Sequence, residues 1–135
     1  MNETYVKNHT NTFEIKGENI EITTPARFDS KTNKIIDDME LDNQAVKMAQ
    51  EKYRKKYNYV GPKDIKALRQ KWNLTQKQLA NIIGWSPSTI ALYEVGEIPT
   101  KSNNRLLKVL ITAGNERLHY GKQRTRRIVK EIKNQ

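Results

Sequence analysis

Between Thr75 and Gly96 the chain reads TQKQLANIIGWSPSTIALYEVG, and the punctuation of that stretch leaves little choice of local structure. Thr75 is placed to cap a helix, because its hydroxyl accepts from the free backbone N–H groups of the opening turn. Leu79, Ala80 and Ile83 then recur at helical spacing on one face. Gly84 ends that helix, since glycine takes the left-handed conformation of a helix stop without steric cost. Ser86 caps a second helix and Pro87 occupies its first position, where a missing N–H costs nothing. Ile90 and Tyr93 face inward, Gly96 stops the helix, and Pro99 keeps it from resuming. Two short helices joined by a tight glycine turn are therefore expected.

Helix, glycine turn and capped helix form the skeleton of a helix-turn-helix, whose second helix enters the DNA major groove. Thr75-Gln76, Leu79-Ala80, Gly84, Ser88-Thr89-Ile90, Tyr93-Glu94 and Gly96 resemble the repressor/Cro (XRE) type of this motif. The resemblance runs from about Pro62 to Leu110. An αα-hairpin of an unrelated bundle would explain the apolar positions. It would not explain why the second helix carries so many short, groove-compatible side chains. The resemblance implies base-facing positions at Ser86, Pro87, Ser88, Thr89, Ala91 and Leu92. It also implies a phosphate contact from Gln76, beside Lys77 in the opening turn of the first motif helix, and Lys101, Ser102 and Asn103, which open the next helix, are placed to do the same. Relatives commonly place Gln, Asn or Arg where this chain has Pro87, Ser88 and Leu92. Ser88 and Thr89 make single bonds to several bases, and Ala91 and Leu92 offer only apolar contact, for instance to thymine methyls. Sequence readout is thus expected to lean on methyl packing and DNA shape.

The preceding stretch, Pro62 to Trp72, sets Ile65, Leu68, Arg69 and Trp72 on one stripe. A charge in that stripe needs a partner. The resemblance implies that Arg69 pairs with Glu94 and holds the first helix against the third. After Pro99, Lys101 to about Ala113 reads as a further helix with Leu106, Leu107, Leu110 and Ile111 inward. It either closes the bundle or supplies a dimer surface.

The N-terminal part has another character. Phe13 and Ile15, then Ile20 and Ile22, alternate with polar residues around Lys16-Gly17-Glu18-Asn19, a hairpin signal. Pro25 ends the second strand or sits on an edge. Phe28 and Ile35-Ile36 flank a turn-like stretch from Asp29 to Lys34. A three- or four-stranded sheet is expected, packed on the helix that follows, because a lone hairpin is marginal. Asp37-Asp38-Met39-Glu40-Leu41-Asp42 suits the positive end of a helix dipole. An acidic patch for a basic protein is the alternative, and a metal site lacks the EF-hand pattern. From Asp42, as cap, to about Tyr57 a helix is expected, with Ala45, Met48-Ala49, Lys52 and Tyr53 on one stripe. Its basic, tyrosine-rich end suits the dipole, or else contacts phosphate or RNA.

The expected fold is α+β: residues 1–60 a small antiparallel β unit with a linking helix, 61–114 an all-α repressor-like bundle, and 115–135 a basic tail. That tail is either solvated or an arm along the DNA backbone. The net charge of +10 favours polyanionic partners. No cysteine is present, so disulfides and thiolate metal sites are excluded. No apolar run approaches the roughly 18 residues of a membrane helix, and the N-terminus is polar, so a soluble, cytoplasmic chain is expected. His9 and His119 neighbour no nucleophile or carboxylate pair, so no catalytic site, metal or cofactor is expected. The order of elements is similar to that of the MqsA-like antitoxins, whose zinc-binding cysteines are missing here. That similarity implies a C-terminal half that represses its own operon and a cognate toxin bound through residues 1–60. Because one reading helix covers only a few base pairs, a homodimer through the C-terminal half is expected on duplex DNA. A phage or mobile-element regulator without a toxin partner, or an RNA-binding protein, would share the same plan.

Overall fold

The structure, a computed structural model, describes residues 3–115. The chain forms two compact units that part between Tyr57 and Asn58. The predicted tail from Glu116 onward lies outside the described residues.

The first unit is a three-stranded antiparallel sheet in the order β1 (Thr4–Ile15), β2 (Glu18–Asp29), β3 (Ile35–Ile36), followed by α1 (Met39–Tyr57). Together with the helices of the second unit this is an α+β chain. Lys16 and Gly17 alone make the β1–β2 loop, at φ 50° and 79°. Positive φ at both positions gives a turn whose twist matches that of the paired strands, which fixes the register from Ile15↔Glu18 to Thr4↔Asp29. Pro25 lies inside β2 rather than at its end. Beyond β1, β2 has among the described residues a neighbour only at Arg27 and Phe28, so within them Pro25 sits on an open edge. The buried residues of β2 alternate: Ile20, Ile22, Thr24, Ala26 and Phe28. They pack with α1, which buries Ala45, Ala49 and Tyr53 at intervals of four. Two alanines in that stripe let the helix lie close to the strand.

Three local expectations for this unit need correction. The cap of α1 is Asp38, not Asp42: its Oδ1 accepts from the Leu41 N–H at 3.0 Å, and Asp42 only reaches back to the Asp38 N–H at 3.3 Å. Arg27 selects Asp38, because its Nε donates to Asp38 Oδ2 at 2.8 Å and pins that one carboxylate beside the sheet. Met48 is 48% exposed, one position off the buried stripe. Lys52 is also exposed, and its ammonium donates to the Glu21 carbonyl at 2.6 Å.

The second unit holds α2 (Pro62–Lys71), α3 (Gln76–Ile83), α4 (Pro87–Glu94) and α5 (Lys101–Asn115). Its core is Val60, Ile65, Leu68, Leu74, Leu79, Ala80, Ile90, Tyr93 and Leu107. Val60, grouped with the first unit by sequence, is buried here, and its N–H donates to Asn104 Oδ1 of α5 at 2.7 Å. Thr100 caps α5 by accepting from the Asn103 N–H at 3.1 Å. Leu107 is fully buried and Leu110 and Ile111 are half-buried against the core, whereas Leu106 is 38% exposed and points away from it. Adjacent helix positions lie about 100° apart, and here the core meets the Leu107 side of that step rather than the Leu106 side.

Candidate nucleic-acid interface

Local chemistry places each part of the α3–α4 pair. Thr75 and Gln78 form a reciprocal box: the Gln78 N–H donates to Thr75 Oγ1 at 3.0 Å, and the Thr75 N–H donates to Gln78 Oε1 at 3.0 Å. Gly84 ends α3 at φ 85°, and its N–H and that of Trp85 both donate to the Ala80 carbonyl at 2.8 Å. The left-handed glycine turns the chain sharply, so that only Trp85 and Ser86 separate it from the start of α4. Ser86 caps α4 by accepting from the Ser88 N–H at 3.3 Å, with Pro87 in the first position.

Three contacts fix how α4 is held. Arg69 of α2 grips Glu94 with two bonds, Nε to Oε2 at 2.7 Å and Nη2 to Oε1 at 2.8 Å. Its Nη1 donates to the Leu74 carbonyl at 3.0 Å, so one guanidinium ties α2, the connection to α3, and α4. The Glu94 bond raises the pKa of Arg69, against the opposing effect of burial, so the guanidinium stays charged. Glu94 is 4% exposed, which commits the longest polar side chain of α4 to the scaffold. Tyr93 is buried beside it. Its hydroxyl accepts from Asn103 Nδ2 of α5 at 2.8 Å, and its ring meets Trp85 edge-on at 5.8 Å.

With that inner face fixed, Ser86, Pro87, Ser88 and Leu92 are exposed, and Thr89 and Ala91 are half-buried. Ser88, Leu92 and Val95 fall at successive i, i+4 and i+7 positions of one stripe. Val95 is 71% exposed, and the sequence reading passed over it because it stopped at Leu92, ahead of the glycine that ends the helix. Extending the Ser88–Leu92 stripe by one step would have found it. Lys77, Lys101 and Ser102 are exposed in the opening turns of α3 and α5, and Gln76 is half-buried. The Asn103 side chain is half-buried and donates to the Tyr93 hydroxyl.

Charge divides unevenly between the units. Residues 1–57 hold ten lysines and arginines against ten aspartates and glutamates, so the whole basic excess lies from Asn58 onward. The tyrosine cluster of α1 makes a poor stacking surface for bases. Tyr53 is 5% exposed, with Tyr57 packed on it at 4.7 Å between ring centroids. His9 lies edge-on to Phe28 at 5.8 Å, and His119 lies outside the described residues. Among the described residues no group of three acidic or histidine side chains is placed to hold a metal ion. No helix among them is long and apolar enough to cross a membrane.

Residues 65–110 match the helix-turn-helix family. That span starts in α2 and ends in α5, so it includes the α3–α4 pair and both partners of the Arg69–Glu94 bridge. No curated protein matches the chain.

Proposed function

We propose that this chain, which carries in residues 65–110 a helix-turn-helix domain of the repressor/Cro (XRE) type, is a repressor that reads its operator with α4. The domain makes it a DNA-binding regulator. The observation that carries the finer reading is the division of α4 into two faces. Ile90, Tyr93 and Glu94 are locked inward, while Ser86, Pro87, Ser88 and Leu92 stand in solvent with Thr89 and Ala91 beside them. Gln76, Lys77, Lys101 and Ser102 would grip phosphates from the opening turns of α3 and α5, where backbone N–H groups already favour anions.

One such helix reads only a few base pairs, so the repressor acts as a homodimer on a two-fold site with half-sites about one helical turn apart. Leu106 and Val109, 38% and 64% exposed and three positions apart on α5, are the apolar surface that supports pairing through the C-terminal half. The first unit has its own core and no net charge, which suits a protein partner better than DNA. In the antitoxin form of this reading that partner is a cognate toxin, and the regulator controls its own operon.

Duplexes selected from a random pool by the full chain test the reading. Replacing Ser88 and Leu92 together by Arg should yield a different selected sequence, because guanidinium groups pair with guanine edges. An unchanged preference would refute the assignment of α4. Co-purification of the full chain with the product of an adjacent reading frame, retained at high salt, tests the toxin partner.

A further inference from the structure

The stripe that α4 presents is chemically unusual for a base reader, and its ligand can be named more narrowly. Among the six exposed or half-buried positions assigned to base contact, none has a side chain long enough and forked to make a bidentate bond to a base edge. Glu94, the one long polar residue of the helix, is sequestered by Arg69. The two serines at the entrance engage each other: Ser86 Oγ and Ser88 Oγ share a hydrogen bond of 2.8 Å. Beyond them Leu92 is 49% exposed and Val95 71% exposed, one turn apart and in line with Ser88. Val95 was not among the residues assigned to the reading face. An exposed isobutyl and an exposed isopropyl group side by side have no hydrogen bond to offer. In the major groove the one apolar feature of a base edge is the C5-methyl of thymine, a group that 5-methylcytosine shares.

We infer that Leu92 and Val95 form a methyl-reading patch, whose ligand is duplex DNA carrying C5-methylated pyrimidines in the major groove. The inference rests on the DNA-binding reading of α4 and specifies what that helix recognises. Thymine is the ordinary ligand. A cytosine at the same position binds more weakly for lack of the methyl, and methylation restores that contact. Each methyl that packs on the patch should be worth about fourfold in affinity, the equivalent of burying one CH₂ group of about 0.8 kcal/mol.

The test uses the full chain and a duplex selected by it. Each thymine in the half-site is replaced in turn by uracil, which removes only the C5-methyl. At one or two positions binding should weaken about fourfold. At those positions cytosine should bind poorly and 5-methylcytosine should recover affinity. In Leu92→Ala with Val95→Ala, thymine and uracil should bind alike, while the salt dependence set by the phosphate contacts stays the same. Circular dichroism of the double variant confirms that it folds. Uracil indifference at every position of a tightly bound site overturns the inference and leaves the DNA reading standing. So does uracil sensitivity that survives in the double variant. Failure to bind any duplex overturns both.

Discussion

Removing the Arg69 guanidinium should cost far more than removing the whole Arg69–Glu94 pair. The Glu94 side chain is 3% exposed and that of Arg69 is 21% exposed. Both Glu94 oxygens are bonded to the guanidinium, so Arg69→Met leaves a buried carboxylate with neither its counter-charge nor those donors. Breaking a buried pair this way costs about 3–5 kcal/mol. The lost bond to the Leu74 carbonyl adds about 1 kcal/mol. Glu94→Gln keeps the shape and one acceptor, and should cost about 1–3 kcal/mol. The double variant Arg69→Met with Glu94→Leu removes charge and desolvation cost together, and should lie within about 1 kcal/mol of the parent. Trp72 and Trp85, the only tryptophans, both belong to the second unit. Tryptophan fluorescence in urea therefore follows that unit alone, and Glu94→Leu on its own completes a double-mutant cycle with the parent, Arg69→Met and the double variant. Single variants that each cost under about 1 kcal/mol, with no coupling between them, would refute the view that this bridge braces α4.

Gly84→Ala should destabilise the second unit by about 1–2 kcal/mol, the cost of a left-handed residue with a Cβ. The added methyl itself has open space, with no atom within 4 Å, so an unchanged melting temperature would mean that φ 85° is not held in solution. Asp38 has its pKa lowered, first by the hydrogen bond from Arg27 and then by that from the Leu41 N–H. A depressed folded-state pKa contributes stability that is present above the unfolded carboxylate value of about 4 and is lost as pH falls through the folded value. The gap in urea midpoint between the parent and Asp38→Asn should accordingly be full at pH 7 and close below pH ~4. A gap that widens on acidification would refute the assignment.

The second unit was legible because its signals are local. Thr75, Gly84, Ser86 and Pro87 each dictate a backbone conformation within one or two residues of themselves, and the structure has all four in those roles. The Arg69–Glu94 bridge spans 25 positions. Periodicity only marked Arg69 as a charge in need of a partner, and the resemblance to a family supplied which one. The first unit was harder. Its turn was visible, but β1 is rich in Thr and Asn and half exposed even on its α1 side, so alternation shows only near Phe13 and Ile15. Four acids in six positions each look like a helix cap, and only Arg27 on the neighbouring strand decides for Asp38. Leu106 and Val95 were misjudged or missed because apolar character alone does not say which side of a helix meets the core. Val95 is legible only as an extension of the outward stripe.

The central claim is that α4 is the surface on which DNA sits, and backbone chemical-shift mapping of the full chain titrated with a selected duplex tests it most directly. The largest changes should fall on Ser86 to Leu92 and on Val95, with smaller ones at Lys77 and Lys101, while Ala45 and Ala49 in the first unit stay in place. Changes concentrated between Thr4 and Tyr57, with α4 unmoved at saturation, would contradict it.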